Sequence, residues 1–410
     1  MSDIELFSPT FWQYASIPLI AALIGWFTNW LAIQMTFLPL EFKGIRPFFG
    51  WQGIIPSKSE KMADMAVDAT IAKLGTIQEV FEQIDPNVLA EYIVSSNLPR
   101  IEEYVDELML EEYPTLWENL PATVKKMLYQ RVTDSAPKLV DKLVQDINHQ
   151  VDSLIDLKGM VKAQLAQDKA LLNLLFQECG DKEFRFIVNS GLWLGFLFGL
   201  IQTALWFVFP SDWSLPICGL IVGLGTNWIA LNVIFSPLNP KKIGPFTLQG
   251  LFLRRQKEVA GTFCRIITHR ILTVEHIVDA MLNGPHRDRT RALIQKHVKP
   301  IVDEVAGVGK PLTQILIGPK GFADLKHKVG EKAVALSQTA FEDKLFNQER
   351  AEAVERIMRE RMEALSPEEF QNLLRPCFQE DELKLILIGG GLGFLAGVAQ
   401  FVWVFGGSLI

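Results

Sequence analysis

Four long stretches without a charged side chain constrain what this 410-residue chain can fold into. The stretches without Asp, Glu, Lys, Arg or His are residues 6–40, 186–211, 213–240 and 385–410. A helix needs roughly 20 apolar residues to cross the hydrocarbon core of a bilayer, and each stretch is long enough. The sequence therefore predicts four transmembrane helices, near 12–38, 186–209, 214–236 and 385–406.

The remaining composition excludes several other classes of protein. The first apolar stretch lacks a basic segment before it and is too long for a cleavable signal peptide. The formal net charge is −7, from 40 basic and 47 acidic residues, and no basic tract indicates nucleic-acid binding. The four cysteines are widely separated, so neither a zinc site nor a disulfide framework is predicted.

The distribution of Lys and Arg predicts an orientation in the membrane. Basic residues cluster at one end of every predicted span, and such ends face the cytoplasm. Both termini and the short turn at 210–213 are then outside, and both long polar segments are cytoplasmic. The predicted order is a transmembrane helix (1–40), a helical cytoplasmic domain (41–183), two transmembrane helices (184–240), a second helical cytoplasmic domain (241–383) and a last transmembrane helix (384–410).

One motif of the first span recurs in the third. Thr28-Asn29-Trp30 returns 198 residues later as Thr226-Asn227-Trp228, and Gln34 is matched by Asn232. We call these spans the Asn-Trp helices. The second and fourth spans also match each other, with Gln202 parallel to Gln400, Asn173 to Asn372 and Glu183 to Glu382. The predicted fold is an all-α membrane protein with four transmembrane helices in two pseudo-symmetric repeats and two helical cytoplasmic domains.

Small residues mark the packing face of each predicted span. The second and fourth spans, which we call the glycine-rich helices, carry glycines spaced by four: Gly191, Gly195 and Gly199, and Gly389, Gly393 and Gly397. The Asn-Trp helices carry Gly25 before Asn29, and Gly219 and Gly223 before Asn227. Close backbone approach supplies the attraction between helices in lipid, so we expect the two types to cross tightly on these faces.

The polar residues of the Asn-Trp helices are the best candidates for a site. They are Thr28, Asn29, Trp30 and Gln34, with Thr226, Asn227, Trp228 and Asn232. A functional interpretation is a polar lining that holds a small solute, ion or lipid headgroup between the repeats. The structural interpretation is hydrogen bonding between helices, because an unsatisfied polar group in hydrocarbon costs several kcal/mol. Both interpretations remain open at this point.

Several helix boundaries can be predicted from capping residues. The segment 39–56 is rich in Pro, Gly and aromatic residues, which fits an ordered, irregular stretch on the cytoplasmic membrane surface and equally a plain connecting loop. A helix should follow, with Ser57 as N-cap and Glu60 completing a capping box. Asp134 or Ser135 should cap a helix with Pro137 in its first turn, and Ser366 and Glu369 should form another capping box.

Catalytic and metal-binding patterns are not found. The six histidines form no HExxH motif or Cys/His cluster, and no Walker A, GxGxxG or GxSxG motif is present. We predict no catalytic residue, no cofactor and no metal. Glu183 and Glu382 are expected near the start of membrane helices, facing the positive end of the helix dipole.

The motif Gly25-x-x-Thr28-Asn29-Trp30, with Ala32, Ile33, Phe37, Pro39, Leu40, Pro47, Phe48, Gln52 and Gly53, resembles a bacterial membrane-protein family. This family is catalogued as domain of unknown function 445 and is related to the YheB-like membrane proteins. The resemblance implies a location in the bacterial inner membrane and implies no activity. Many members carry membrane helices mainly at the two ends, whereas the central pair is also fully apolar here.

The sequence favours a non-enzymatic scaffold or partner-binding protein of the cell envelope. Its predicted partners are the lipid bilayer and, at the cytoplasmic helical domains, a protein or a lipid. The alternative is a transporter or lipid-handling protein with a polar site between the repeats. An enzyme is the least favoured class.

Overall fold

The computed structural model describes residues 9–45, 49–208, 213–243, 246–307, 310–339, 341 and 343–405. The first half of the chain forms α1 (Pro9–Phe37), β1 (Lys43–Ile45), β2 (Phe49–Trp51), α2 (Ile54–Ser57), α3 (Ser59–Leu74), α4 (Ile77–Ile84), α5 (Pro86–Asn97), a 3-10 turn (Leu98–Arg100), α6 (Ile101–Glu112), α7 (Pro114–Glu118), α8 (Ala122–Leu154), α9 (Leu157–Gln167) and α10 (Lys169–Val208).

The second half contains α11 (Ser214–Phe235), β3 (Lys241–Ile243), β4 (Phe246–Leu248), α12 (Leu251–Arg254), α13 (Gln256–Arg270), α14 (Val274–Asn283), α15 (Arg287–Ala306), α16 (Lys310–Thr339), α17 (Lys344–Ala364) and α18 (Pro367–Phe405). A kink divides α16 at Gly318, where φ is 74° and a proline follows. The described residues are thus nearly all helical, which confirms the all-helical part of the predicted fold class.

Four helices are long and apolar enough to cross a membrane, as predicted. They are the stretches Tyr14–Phe37, Lys169–Val208, Ser214–Phe235 and Ile386–Trp403. At most 44% of the residues in any of these spans are buried within the protein. Their outward side chains are large and apolar, for example Trp193 at 73% and Ile221 at 58% exposed. Such a surface is costly in water and is suited to lipid.

Two of these helices begin well before their apolar stretches. α10 starts at Lys169 and α18 at Pro367, whereas the uncharged stretches start at 186 and 385. In α10, Leu172, Leu175, Phe176 and Cys179 are buried at helical spacing, so packing continues the helix into the polar segment. The expectation that Glu183 and Glu382 lie at helix starts is therefore wrong, because both occupy helix interiors.

A short β-hairpin follows each Asn-Trp helix. β1 pairs antiparallel with β2, and β3 with β4. A cis peptide bond precedes both Pro39 and Pro237. The Gly53 N–H donates to Pro39 O at 2.9 Å, and the Gly250 N–H donates to Pro237 O at 3.0 Å. The segment 39–56 is thus ordered in its described residues, while its residues 46–48 lie outside them.

The predicted N-cap at Ser57 is wrong. Ser57 is the last residue of α2, where its hydroxyl donates to Ile54 O at 2.7 Å, and α3 begins at Ser59. Gly53 is the N-cap of α2 and packs against the end of α1, where a β-carbon would lie only 2.7 Å from the Phe37 carbonyl carbon.

The chain divides into two compact units. The first comprises 1–70, 162–263 and 361–410, and contains the four membrane-length helices. The second comprises 71–161 and 264–360. Each polar stretch contributes to both units, and separate domains at 41–183 and 241–383 stay a prediction.

In the second unit, α8 begins at Ala122, well before the predicted start near Asp134. It runs unbroken through Pro137, so the predicted cap at Asp134 or Ser135 is wrong. Apolar residues at helical spacing flank the proline on both sides, and this stripe outweighs the local cost of one missing N–H. On the C-terminal side of the proline, Leu143, Val144, Val151 and Leu154 are buried.

The capping box before α18 is confirmed. The Ser366 N–H donates to Glu369 Oε2 at 3.0 Å, and the Glu369 N–H donates to Ser366 Oγ at 3.3 Å. These bonds satisfy two backbone donors that a helix start otherwise leaves without partners.

The two serines give a matched test of the cap assignments. Ser366→Ala should lower the free energy of unfolding by about 1 kcal/mol, because a capping bond is lost. Ser135→Ala should cause no loss, because Ser135 lies inside α8. Chemical denaturation of the full chain in detergent measures both. A larger loss at Ser135 would contradict the continuous α8.

Candidate functional site

α1 and α10 contact each other through the backbone of glycine residues. A β-carbon placed on Gly25 would lie 2.3 Å from Gly191 O, and one on Gly195 would lie 2.5 Å from Ala21 O. Gly199 packs in the same way against Pro18. Side chains of any size would force these helices apart, so the glycines determine how close the helices can come.

The pair α11 and α18 is joined by the same kind of contact. A β-carbon on Gly219 would lie 2.3 Å from Gly393 O, and one on Gly223 would lie 2.2 Å from Gly389 O. Gly397 packs against the backbone of Leu215. The prediction that glycine-rich and Asn-Trp helices cross tightly on these faces describes both pairs. The sequence had not indicated that each Asn-Trp helix pairs most closely with the glycine-rich helix that follows it.

The two asparagines are fully buried where the glycine contacts end. Asn29 donates from Nδ2 to the Ile187 carbonyl of α10 at 2.7 Å, while its Oδ1 accepts no bond from the described residues. A β-carbon on Gly389 would lie 2.1 Å from Asn227 Nδ2, so Asn227 also lies directly against its partner helix. Asn29 therefore forms a hydrogen bond between helices.

The other predicted site residues separate into two groups. Thr28 and Thr226 are buried, and their hydroxyls donate within their own helices to Gly25 O and Gly223 O. Trp30 and Trp228 are 40% and 57% exposed on the outer surface. Gln34 is half-buried, and Asn232 donates to Trp228 O of its own helix at 2.9 Å. The eight residues thus do not line one common space.

Two glutamines that were not selected as site residues lie at the centre of the bundle. Gln202 and Gln400 are each 5% exposed and border a cavity of about 20 Å³. Thr28 and several packing glycines line it as well. The Nε2 of Gln400 has no hydrogen-bond partner among the described residues. The cavity has room for about one water molecule. The match between Gln202 and Gln400 was the sequence feature that could have indicated this position.

Side chains from two other elements close the end of α1. Trp51 Nε1 donates to Met35 O at 3.1 Å, and Asn173 Nδ2 donates to Phe37 O at 2.6 Å. These donors satisfy carbonyls that a helix end leaves open. The matching of Asn173 with Asn372 is wrong, because Asn173 is buried and Asn372 is exposed, whereas Gln371 is buried. Gln371, one residue before Asn372, is therefore the position of α18 that corresponds to Asn173 of α10.

A buried ion pair lies in the first unit beside α10. Arg255 Nη1 is 2.5 Å from Glu183 Oε2, and Glu183 is almost fully buried. Glu258 is bound by Arg255 at 3.0 Å and by Lys182 at 2.6 Å. Hydrogen bonds from Arg255 and then Lys182 lower the pKa of Glu258 to about 2. Such a pair requires both partners, because one buried charge left alone is strongly destabilising.

A large cavity lies inside the second unit. It measures about 510 Å³ and is lined by apolar faces of α6, α7, α8, α15 and α16. The cavity is open to solvent, so without a ligand its apolar side chains face water. Covering apolar surface is favourable by roughly 25 cal/mol per Å² removed from water. The cavity is therefore suited to an apolar ligand.

Metal-binding clusters are missing from the described part of the chain. No group of three or more His, Cys, Asp or Glu side chains could hold a metal ion there. His269 lies 3.1 Å from Glu355, which also pairs with Arg359. His297 lies 2.9 Å from Asp146, which also pairs with Lys296.

Comparison with known proteins connects the chain to bacterial membrane proteins. It is 25% identical over 220 residues to a UPF0754 membrane protein of Synechococcus sp. (strain JA-2-3B'a(2-13)), covering 46% of this chain and 53% of that protein. It is 35% identical over 74 residues to one from Microcystis aeruginosa, 18% of each chain. It is 42% identical over 65 residues to one from Shouchella clausii, 15% of this chain and 17% of that protein. No family model and no solved structure matches.

These matches confirm the coarser part of the sequence interpretation. The chain is similar to bacterial membrane proteins, and its four apolar helices agree with that description. The aligned stretches span about half of the Synechococcus protein and less than a fifth of the other two. The assignment to domain of unknown function 445 stays a prediction.

Two glycines of α18 test the backbone contact. Gly393→Ala should destabilise the bundle by a few kcal/mol, because its β-carbon would lie 2.2 Å from Gly219 O. Gly391→Ala should be neutral or slightly stabilising, because nothing lies within 4 Å of its β-carbon and alanine favours helix. Thermal unfolding in detergent distinguishes them. Equal unfolding temperatures would exclude the close contact.

The ion pairs of Glu258 predict a pH dependence. Its pKa is lowered from 4.5 to about 2, so its stabilisation is complete above 4.5 and is lost as pH falls through about 2. Glu258→Gln should therefore lower the unfolding temperature at pH 6, and the difference from the native chain should shrink below pH 4.5 to a small remainder at pH 2. Glu91→Gln, at an exposed position, should show no difference at either pH. A constant difference for Glu258→Gln would contradict the pairing.

Proposed function

We propose that this chain is a multi-pass protein of the bacterial inner membrane that acts as a non-enzymatic, partner-binding scaffold of the cell envelope. Its four membrane helices form a closed anchor, and its polar helical residues bind the partner on the cytoplasmic side. Both termini are outside in this arrangement. The similarity to bacterial membrane proteins supports the location.

The proposal includes two pseudo-symmetric repeats. The starting residues of matching helices support the repeats. α10 begins at Lys169 and α18 at Pro367, 198 residues later. α4 begins at Ile77 and α14 at Val274, 197 residues later. Thr76 and Thr273 accept bonds at the starts of α4 and α14 in the same way. The shared offset extends from the membrane helices into the polar segments.

Charges at matching positions also support the repeats. With the match moved one residue earlier, Glu183 corresponds to Asp381 rather than Glu382, and Arg255 corresponds to Lys58, so both charges keep their sign. Lys182 corresponds to Glu380 and Glu258 to Lys61, so both charges change sign. The sequence therefore has opposite charges at both pairs of matching positions.

The small central cavity is the observation that carries the scaffold proposal. A cavity of about 20 Å³ holds one water molecule, whereas small-molecule sites usually measure about 300–1,000 Å³. Asn29, the best candidate for binding a solute, donates instead to a backbone carbonyl of the neighbouring helix. This geometry favours a structural role for the Asn-Trp motif over a transporter or lipid-handling site between the repeats.

A substitution at Asn29 tests this proposal. In proteoliposomes, the native chain should pass glycerol and sodium ions no faster than empty liposomes do. Asn29→Leu should leave that background unchanged and lower the unfolding free energy by about 1 kcal/mol, because an interhelical hydrogen bond is lost.

Asn189→Leu is the matched control, because Asn189 is exposed on α10 and the same substitution there should leave stability unchanged. The scaffold proposal fails if the native chain carries either solute well above background and folded Asn29→Leu does not. That result would instead establish a carrier that uses the Asn-Trp motif.

A further inference from the structure

We propose that the 510 Å³ cavity of the second unit binds the apolar chain of a long-chain carboxylate, with the carboxylate at Arg131. The inference rests on the proposed function, because it names the chemical class of partner that the helical unit binds. A free fatty acid has this chemistry, whereas the acyl tail of a bilayer lipid is an ester and has no carboxylate.

The lining consists of amphipathic faces that turn toward a common space. Each of four helices contributes apolar residues three or four positions apart, the spacing of one helix face. Representative lining residues are Val105 and Leu108 of α6, Leu128 of α8, Val302 of α15, and Val329 and Ala333 of α16. Most of these side chains are only half-buried, and no residue of α6 is fully buried. Apolar faces that remain accessible around one shared space are suited to an apolar ligand.

The volume favours a single chain. Pockets of about 300–1,000 Å³ hold one compact ligand, and this one lies in the lower half of that range. A lipid with two acyl chains and a headgroup would not fit as a whole. One extended chain can contact all four helices along the cavity.

Two cations interrupt the otherwise apolar lining. Lys332 is already paired with Glu107 at 2.7 Å. Arg131 donates from Nη1 to Val305 O at 3.0 Å, and no carboxylate of the described residues forms an ion pair with it. A guanidinium has five N–H donors in a planar fork that fits a carboxylate. Arg131 can therefore hold the charged end of a ligand whose chain fills the cavity.

Binding of tritiated oleate to the full-length chain in detergent, measured by scintillation proximity, tests the inference. The native chain should bind oleate saturably. Leu108→Trp should weaken binding at least about tenfold, because the indole fills the cavity. Leu110→Trp, two residues away on the exposed face of α6, should bind within about twofold of the native chain.

A second arm of the experiment tests whether Arg131 binds the carboxylate. Arg131→Gln should weaken oleate binding about tenfold, the size of one charge-assisted bond, and leave binding of tritiated oleyl alcohol unchanged. Equal losses for both ligands would overturn the assignment of Arg131. A third arm uses tritiated dioleoyl phosphatidylglycerol, whose acyl chains are esters without a carboxylate. Lipid binding that unlabelled oleate displaces and that Arg131→Gln leaves unchanged would overturn the fatty-acid assignment in favour of a lipid tail. Binding of oleate without such displaceable lipid binding would support a free fatty acid.

Saturable binding that Leu108→Trp leaves unchanged would overturn the inference, as would a native chain that binds no oleate. Leu108→Trp could weaken binding by unfolding the protein, which a lower unfolding temperature than that of Leu110→Trp would show. In that case the smaller substitution Ala333→Leu on α16 replaces it, and unchanged oleate binding by Ala333→Leu would overturn the inference. A native chain that binds no oleate and carries no solute leaves the scaffold function standing with another partner. A native chain that carries solute refutes the scaffold function whatever the cavity binds.

Discussion

The close contact between glycine backbones is the interaction on which the membrane-length bundle depends. Lipid tails are as apolar as leucine, so helices in a bilayer gain little from burying apolar side chains. Attraction must come from atoms that touch, and Gly25 against Gly191 and Gly223 against Gly389 bring whole stretches of backbone into contact. The same proximity lets Asn29 reach the carbonyl of Ile187. Glycine spacing therefore determines both the packing and the position of the buried polar groups.

This constraint explains why the membrane part could be predicted well from the sequence. Charge is excluded from the four spans, and small residues mark the contact faces, so composition alone identified the helices and Gly191, Gly195 and Gly199 as packing residues. Predictions that depended on local capping were less reliable. Packing of α8 on both sides of Pro137 outweighed the cap expected at Ser135, and α2 begins at Ile54, ahead of the N-cap expected at Ser57.

The second unit shows a different limit of sequence analysis. The stripes of α6, α8, α15 and α16 have the spacing of helices that bury a common core. Spacing identifies which face turns inward, but it does not determine how far apart the opposing faces lie. Only the folded arrangement distinguishes a filled core from a cavity, and here the faces surround about 510 Å³. Arg131 and Lys332 interrupt two of these stripes, which differs from an ordinary apolar core.

The two cavities indicate which part of the molecule has the capacity to bind a ligand. Polar groups in the membrane-length bundle mostly donate to nearby carbonyls, as in Asn29, Thr28 and Thr226, and the space between them holds about one water molecule. A solute there would have to separate backbones that are already in contact, which close-packed helices resist. In the second unit, by contrast, a ligand would cover apolar surface that the protein itself leaves accessible. Binding is therefore favoured where the helices remain apart, and the bundle is suited to anchoring.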